Sequence, residues 1–194
     1  MDLIGVVEKI EASAIGEWMR TTVKAMPVVE AIHVIAIAVV FGTILVVDLR
    51  LLGIGDARRP YTQVSRELLG WTWAAFVVAA ITGAMMFAAN AVTYYHNTPF
   101  RLKMVALVAA GVNMAVFHLV TGRNVEDWDT RRSAPPGGRL AGALSILIWI
   151  SVIFLGRWIG FTKGYDFSVP EELDFDFLES GIGMLLELGG SALG

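Results

Sequence analysis

The feature that most constrains the fold of this chain is a long apolar segment, residues 30–53, with the sequence EAIHVIAIAVVFGTILVVDLRLLG. Residues 31–47 contain no Lys, Arg, Asp or Glu. Because a hydrocarbon core of about 30 Å is crossed by about 20 helical residues, the segment predicts a transmembrane helix. The ionisable side chains near its two ends are the informative exceptions, since such groups are costly at membrane depth and usually have a partner or a function.

The composition of the whole chain fits a membrane protein and excludes several other classes. Of its 194 residues, 56% are hydrophobic and 17% are charged, which is too apolar for an ordinary soluble domain. The absence of cysteine excludes disulfides, iron–sulfur clusters and thiolate metal sites. No Gly-rich phosphate loop, nucleophile elbow or HExxH motif occurs, so we expect no catalytic residues and no independent enzymatic activity. No basic stripe indicates nucleic acid as a partner.

Four apolar segments predict an all-α membrane protein. The short connections between them favour an up-down four-helix bundle, occupying residues 26–161. Residues 1–25 carry apolar and charged side chains on opposite sides of a helix and predict an amphipathic helix on the membrane interface. Residues 162–194 form an acidic tail, for which a short partner-docking helix and a frayed end both stay open. The predicted spans are residues 27–52, 68–92, 101–122 and 140–161.

The charges of the connections predict the orientation. Arginines cluster in the first–second and third–fourth connections, whereas the tail is acidic. Because cytoplasmic loops carry an excess of Lys and Arg, these two connections are expected in the cytoplasm. Both termini are then periplasmic, and the chain is a multi-pass protein of the bacterial inner membrane. The arginines of the two connections are Arg58, Arg59, Arg66, Arg123, Arg131, Arg132 and Arg139.

The three histidines differ in predicted depth. At about 1.5 Å per residue, His33 lies about 9 Å and His118 about 25 Å from the same face of the membrane. Two axial ligands of one haem need nearly equal depth, so these two side chains are not expected to share a haem. His96, in the second–third connection, is the histidine that can approach His33. That pair is the candidate ligand set for haem b or a metal ion.

Several groups around His33 suit a cofactor in the outer half of the membrane. Cations at similar depth can contact haem propionates or a quinone headgroup. Glu30 and His33 share a helix face, where they can form a proton relay, bind a quinone headgroup or satisfy each other structurally. Nearby methionines are either soft ligands or packing residues. The candidate cofactor-binding residues are Glu30, His33, His96, Arg101, Lys103 and Arg157.

A second polar group is predicted at the inner end of the bundle. Asp48 and His118 have matching depths, and Arg50 and Asn113 lie about one turn away from them. The favoured interpretation is a structural Asp48–His118 hydrogen bond between the first and third spans. Such a bond fixes the register of the helices and holds the imidazole in one tautomer. A functional inner site is the alternative.

Several short motifs carry a resemblance to a known family. They are Pro27-x-x-Glu30-x-x-His33, Asp48-Leu49-Arg50-Leu51-Leu52-Gly53, Thr82-Gly83 with Phe87, Asn97-x-x-Phe100-x-x-Lys103, and Asn113 with Phe117-His118. Over residues 10–160 the chain resembles an uncharacterised bacterial family of short four-span membrane proteins, which implies the topology. A looser likeness to copper-resistance and cytochrome b561-type membrane bundles implies redox or metal roles.

Three functions are compatible with these features. The first is an inner-membrane subunit or anchor of a larger redox complex that contributes a quinone- or haem-contacting site in its periplasmic half. Its partners are the lipid bilayer and other membrane subunits, which dock on the C-terminal tail and the N-terminal helix. The second is a small metal-ion or solute transporter, and the third is a b-type cytochrome that carries electrons. The first is the favoured hypothesis.

Overall fold

The computed structural model describes residues 3–54 and 59–162, and within these ranges all regular structure is helical. The predicted acidic tail lies outside the described residues. A 3₁₀ helix, Gly122–Asp127, lies between the last two α-helices. The seven α-helices are α1 (Leu3–Glu11), α2 (Ala14–Thr21), α3 (Ala25–Leu52), α4 (Tyr61–Ala89), α5 (Ala91–His96), α6 (Thr98–Val120) and α7 (Pro136–Thr162).

Four of these helices, α3, α4, α6 and α7, are long and apolar enough to cross a membrane. The longest has 29 residues, or about 43 Å at 1.5 Å per residue. Many of their large apolar side chains face outward, such as Val105 and Val108 on α6, as expected for helices surrounded by lipid. For the described part of the chain, the prediction of helical structure with four apolar spans is confirmed. The chain therefore has the pattern of a multi-pass membrane protein.

The ends of the spans differ from the predicted ends because side chains cap them. Helix α4 begins at Tyr61 rather than residue 68, since the Asp129 carboxylate accepts from the backbone N–H (2.8 Å) and the hydroxyl (2.6 Å) of Thr62. It ends at Ala89 because Asn90 has a non-helical backbone, with φ −150° and ψ 53°. Helix α6 begins at Thr98 because the Asn97 side chain accepts from the N–H of Phe100 (3.0 Å).

The close helix pairs are α3–α4, α3–α7 and α6–α7. Helices α3 and α7 are therefore the central ones, and the spans follow one another in the order α4, α3, α7, α6. Helices α4 and α6 do not form a close pair. Small residues of α4, including Ala79 and Gly83, allow its close approach to α3.

Three apolar clusters occupy successive levels of the bundle. One lies where the arginine-rich connections join the helices, which we call the arginine-rich end; one lies in the middle; and one lies at the opposite end. The buried members are Leu51, Tyr61, Phe117, Trp128 and Ala134 at the arginine-rich end, Val40, Trp149 and Val152 in the middle, and Met19, Ala25, Val29 and Ala89 at the opposite end.

The N-terminal helices are fixed to the end of α4 by two long-range hydrogen bonds. Glu11 of α1 accepts from the N–H of Val92 (2.8 Å), and Arg20 of α2 donates to the carbonyl of Ala89 (3.0 Å). These bonds satisfy backbone groups at the break between α4 and α5. Apolar side chains of α2, such as Trp18, remain exposed. Their burial in the membrane interface stays a prediction.

Candidate functional site

The His33 side chain lies between α3 and α4 and is held by a threonine. Its Nδ1 is 2.9 Å from the Thr82 hydroxyl, which is itself 2.7 Å from the carbonyl of Val78. With that hydroxyl donating to the carbonyl, its oxygen is free to accept from an Nδ1–H of His33. In the tautomer with Nδ1 protonated, the lone pair of the imidazole lies on Nε2. The ring is thus oriented and keeps one nitrogen for a ligand.

Gly83 provides the space for the imidazole. A Cβ atom at this position would lie 3.1 Å from Cε1 of His33, a tighter contact than side chains normally make. The adjacent Thr82 and Gly83 therefore act together, one binding Nδ1 and the other leaving room for the ring. This explains physically why the Thr-Gly pair occurs opposite His33 on α4.

Lys103 of α6 is a cation at a depth similar to that of His33. It lies five residues after the start of α6 and His33 eight residues after the start of α3, or about 8 and 12 Å along their helices. Its ammonium rests against α7, 3.5 Å from the Cβ position of Gly156. It acts electrostatically on His33. No acid forms an ion pair with it within residues 3–54 and 59–162.

The structure brings together only part of the predicted cofactor set. His33 and Lys103 interact electrostatically, and Glu30 is exposed at the edge of the same region, also within electrostatic range of His33. Arg101 is exposed. The Arg157 guanidinium lies 5.5 Å from the centre of the Phe161 ring, as a cation–π contact rather than a partner of His33.

The predicted His33–His96 ligand pair is not assembled in the described part of the chain. His96 is exposed, its Nδ1 is 3.0 Å from the carbonyl of Val92 on its own helix, and its ring stands edge-on to Tyr95. No group of three or more His, Asp or Glu side chains that could hold a metal ion occurs among the described residues. Of the methionines considered as soft ligands, Met26, Met85 and Met86 pack in the apolar cluster at that end.

The predicted Asp48–His118 hydrogen bond is not formed, and this interpretation was wrong. Asp48 is buried, and its carboxyl interacts with the hydroxyl of Ser145 on α7. His118 is exposed, with Nδ1 2.8 Å from the carbonyl of Met114. Helix α6 turns Asn113 and Phe117 inward, and Asn113 donates to the carbonyl of Ala141 (2.9 Å). His118 follows Phe117 and is rotated about 100° away from that face.

These contacts all lie within a segment that a sequence comparison assigns to a family. The profile of DUF6644, described as a family of unknown function, matches residues 7–162. The chain belongs to this family. The match agrees with the resemblance to an uncharacterised family seen in the sequence. Neither a curated protein nor a solved structure matches the chain, so the looser likeness to copper-resistance and cytochrome b561-type bundles gains no support.

The most extensive polar contact in this DUF6644 protein belongs to Arg50, which sequence reasoning had placed beside Asp48. Its guanidinium, 4% exposed, donates instead to four backbone carbonyls of both arginine-rich connections. The distances are 2.8 Å to Arg59, 3.2 Å to Arg132, and 3.1 and 2.9 Å to Asp129 and Arg131. Arg50 therefore joins the two connections, a role that its own sequence neighbours do not indicate.

Gly53 completes this junction in the DUF6644 protein. It ends α3 in the left-handed conformation, with φ 77°, which favours glycine. A Cβ here would lie 2.8 Å from the Cβ of Ser133 and 3.0 Å from the carbonyl oxygen of Arg132. The next contact, Ala134 N–H to the carbonyl of Leu51 (3.0 Å), pairs the end of α3 with the connection before α7. The Asp-Leu-Arg-Leu-Leu-Gly motif thus binds a loop that is distant in sequence.

Proposed function

We propose that this DUF6644 protein is a non-catalytic integral subunit of a larger redox complex in the bacterial inner membrane. In this proposal the spans form an up-down bundle, the arginine-rich end faces the cytoplasm, and both termini face the periplasm. A site formed by His33 and Lys103 contacts the headgroup of a quinone. The observation that supports the proposal is an oriented imidazole within electrostatic range of an ammonium that forms no ion pair among the described residues, both near the end of the spans opposite the arginine-rich connections.

The two side chains suit the chemistry of a quinone headgroup. Such a headgroup presents oxygens on opposite edges of its ring, and its redox chemistry exchanges electrons together with protons. The Lys103 ammonium can donate to one oxygen, and a bond to a charged donor is stronger than one between neutral groups. The Nε2 lone pair of His33 can accept a hydroxyl proton of the reduced form.

The other two hypotheses find less support. A transporter needs a polar path between the His33 region and Asp48, but the intervening level holds the apolar cluster of Val40, Trp149 and Val152. A b-type cytochrome needs a second axial ligand for His33. His96 is turned to its own helix, and His118 lies near the other end of the bundle.

Replacing Lys103 with methionine is expected to weaken quinone binding about tenfold or more. The loss of one hydrogen bond from a charged donor is worth about 1.5–3 kcal/mol, and 1.4 kcal/mol corresponds to a tenfold change in Kd. The measurement is a titration of the purified, detergent-solubilised chain with decylubiquinone, followed by quenching of tryptophan fluorescence. His33→Ala should weaken binding in the same direction.

Arg157→Gln is the matched control. Arg157 is a cation near the same end of the bundle, one residue from Gly156, but its guanidinium is engaged with Phe161. We expect its Kd to equal that of the wild-type chain. Equal losses for Lys103→Met and Arg157→Gln would mean that net charge rather than the site governs binding. An unchanged Kd for Lys103→Met would contradict the proposed site.

The role as a subunit is tested separately. The proposed docking elements are α1, α2 and the acidic tail, which lies outside the described residues. The tagged chain, purified from its native membranes, is expected to carry a stoichiometric membrane partner, and deletion of residues 165–194 is expected to reduce that recovery strongly. Recovery of the chain alone in both forms would contradict this part of the proposal and leave the quinone titration unaffected.

A further inference from the structure

Asp48 is a carboxyl group inside the membrane domain that the proposed quinone site does not use. Asp48 lies on α3, four residues before its end, or about 6 Å from the arginine-rich end of the helix. Its side chain is 6% exposed, and its Oδ2 atom is buried with no hydrogen-bond partner. Helix α3 packs here against α7, so the carboxyl lies between the two central helices.

No cation in the described residues compensates a charge on this carboxyl. Arg50 is the nearest in sequence, but its guanidinium is committed to carbonyls of Arg59, Asp129, Arg131 and Arg132. Within the described ranges Asp48 forms no ion pair. A buried carboxylate without a cation is very costly, and the usual escape is to take up a proton.

The groups that face Asp48 from the packed helices are neutral. Ser145 of α7 interacts with the carboxyl through its hydroxyl. Tyr61 of α4 is near enough to interact electrostatically with it and bonds to the Ser65 hydroxyl. The next acid, Asp129, also acts on Tyr61 and is itself fixed by Thr62.

We propose that Asp48 is a proton-binding site: it carries a proton in the folded protein and shares it with the Ser145 hydroxyl. One O–H bond forms at the carboxyl oxygen facing Ser145; the proton comes from a hydronium ion of the solvent at the arginine-rich end, whose O–H bond breaks to leave water. Oδ2 is then an uncharged carbonyl oxygen, for which the lack of a partner costs much less than for a carboxylate. This inference is independent of the proposed quinone site at the opposite end.

Infrared spectroscopy of the full-length chain in lipid tests the proposal. At neutral pH the wild-type protein should have a carbonyl stretching band of a protonated carboxylic acid, and this band should be lost in Asp48→Asn. Asp127→Asn is the matched control, because Asp127 is exposed and its loss should leave the band unchanged. Absence of the band from the wild-type protein, or its persistence in Asp48→Asn, would overturn the proposal.

Two further measurements keep the test decisive if Asp48→Asn does not fold. Labelling aspartate with ¹³C in the carboxyl group should shift the band, and Ser145→Ala should shift it again by removing the hydroxyl partner. An unshifted band in either experiment overturns the assignment to Asp48. The same spectra, recorded with sodium replaced by choline, test whether a sodium ion rather than a proton occupies the carboxyl group. A protonated-acid band that emerges only when sodium is withdrawn identifies a cation site and overturns the proton site.

Discussion

Replacing Arg50 with alanine is expected to destabilise the folded protein by about 3–5 kcal/mol. The guanidinium donates to four carbonyls at 2.8–3.2 Å while being almost fully buried. Without it, these carbonyls lose their charged donor, and the two connections lose their common anchor. The measurement is the free energy of unfolding in mixed micelles.

Two variants show whether the geometry of Arg50, rather than its charge, is responsible. Arg50→Lys keeps the charge, but a single ammonium cannot reach four carbonyls spread over two connections, so it should recover less than half of the loss. Arg139→Gln removes an exposed arginine and should change stability by no more than about 0.5 kcal/mol. Equal stability of Arg50→Ala and Arg139→Gln would contradict the anchoring role.

Replacing Trp128 with alanine is expected to cost about 3–5 kcal/mol through loss of burial and the cavity left behind. The indole is 2% exposed and lies 5.2 Å from the ring of Tyr61, measured between centroids. Tyr61 in turn contacts the ring of Phe117 at 5.9 Å. The indole N–H also lies 3.4 Å from the carbonyl of Thr121. The same unfolding measurement applies.

Trp158→Ala is the matched control for this prediction. Trp158 is a tryptophan on α7 that is 48% exposed, so its truncation in lipid or detergent should cost much less than that of Trp128. Trp128→Phe should retain most of the apolar contact and lose chiefly the indole N–H. If Trp158→Ala were as destabilising as Trp128→Ala, the aromatic cluster at the arginine-rich end would not be the main apolar support of the connections.

Arg50 and Trp128 act on the same part of the molecule from different sides. Arg50 binds the backbone of the third–fourth connection, whereas Trp128, within that connection, packs against α4 and α6. The two side chains are linked through Tyr61 and Asp129: Arg50 donates to the carbonyl of Asp129, which also accepts from Tyr61 N–H (3.2 Å), and the Tyr61 ring contacts Trp128. The effects of the two substitutions are therefore expected to be non-additive in the double variant.

The candidate site was only partly predictable from the sequence. Helical rise alone put His33 and Lys103 in the outer half of the membrane, but it also put His96 and Arg157 there. Depth does not specify which way a side chain points around the helix. The structure distinguishes them by rotation: His96 faces its own helix and Arg157 faces Phe161, whereas His33, bonded to Thr82, and Lys103, beside Gly156, stay within electrostatic range of each other.

The sequence by itself determined the number and class of the spans, because a run of about 20 apolar residues has few stable alternatives to a membrane helix. It also identified the ionisable side chains that lie within the spans and therefore need a partner or a function. Tertiary structure alone decided their partners: His118 turned out to lie on the exposed face, Asp48 to meet Ser145, and Arg50 to bind loop carbonyls. The physical reason is that such partners depend on helix rotation and on which helices become neighbours, and neither is written in local hydropathy.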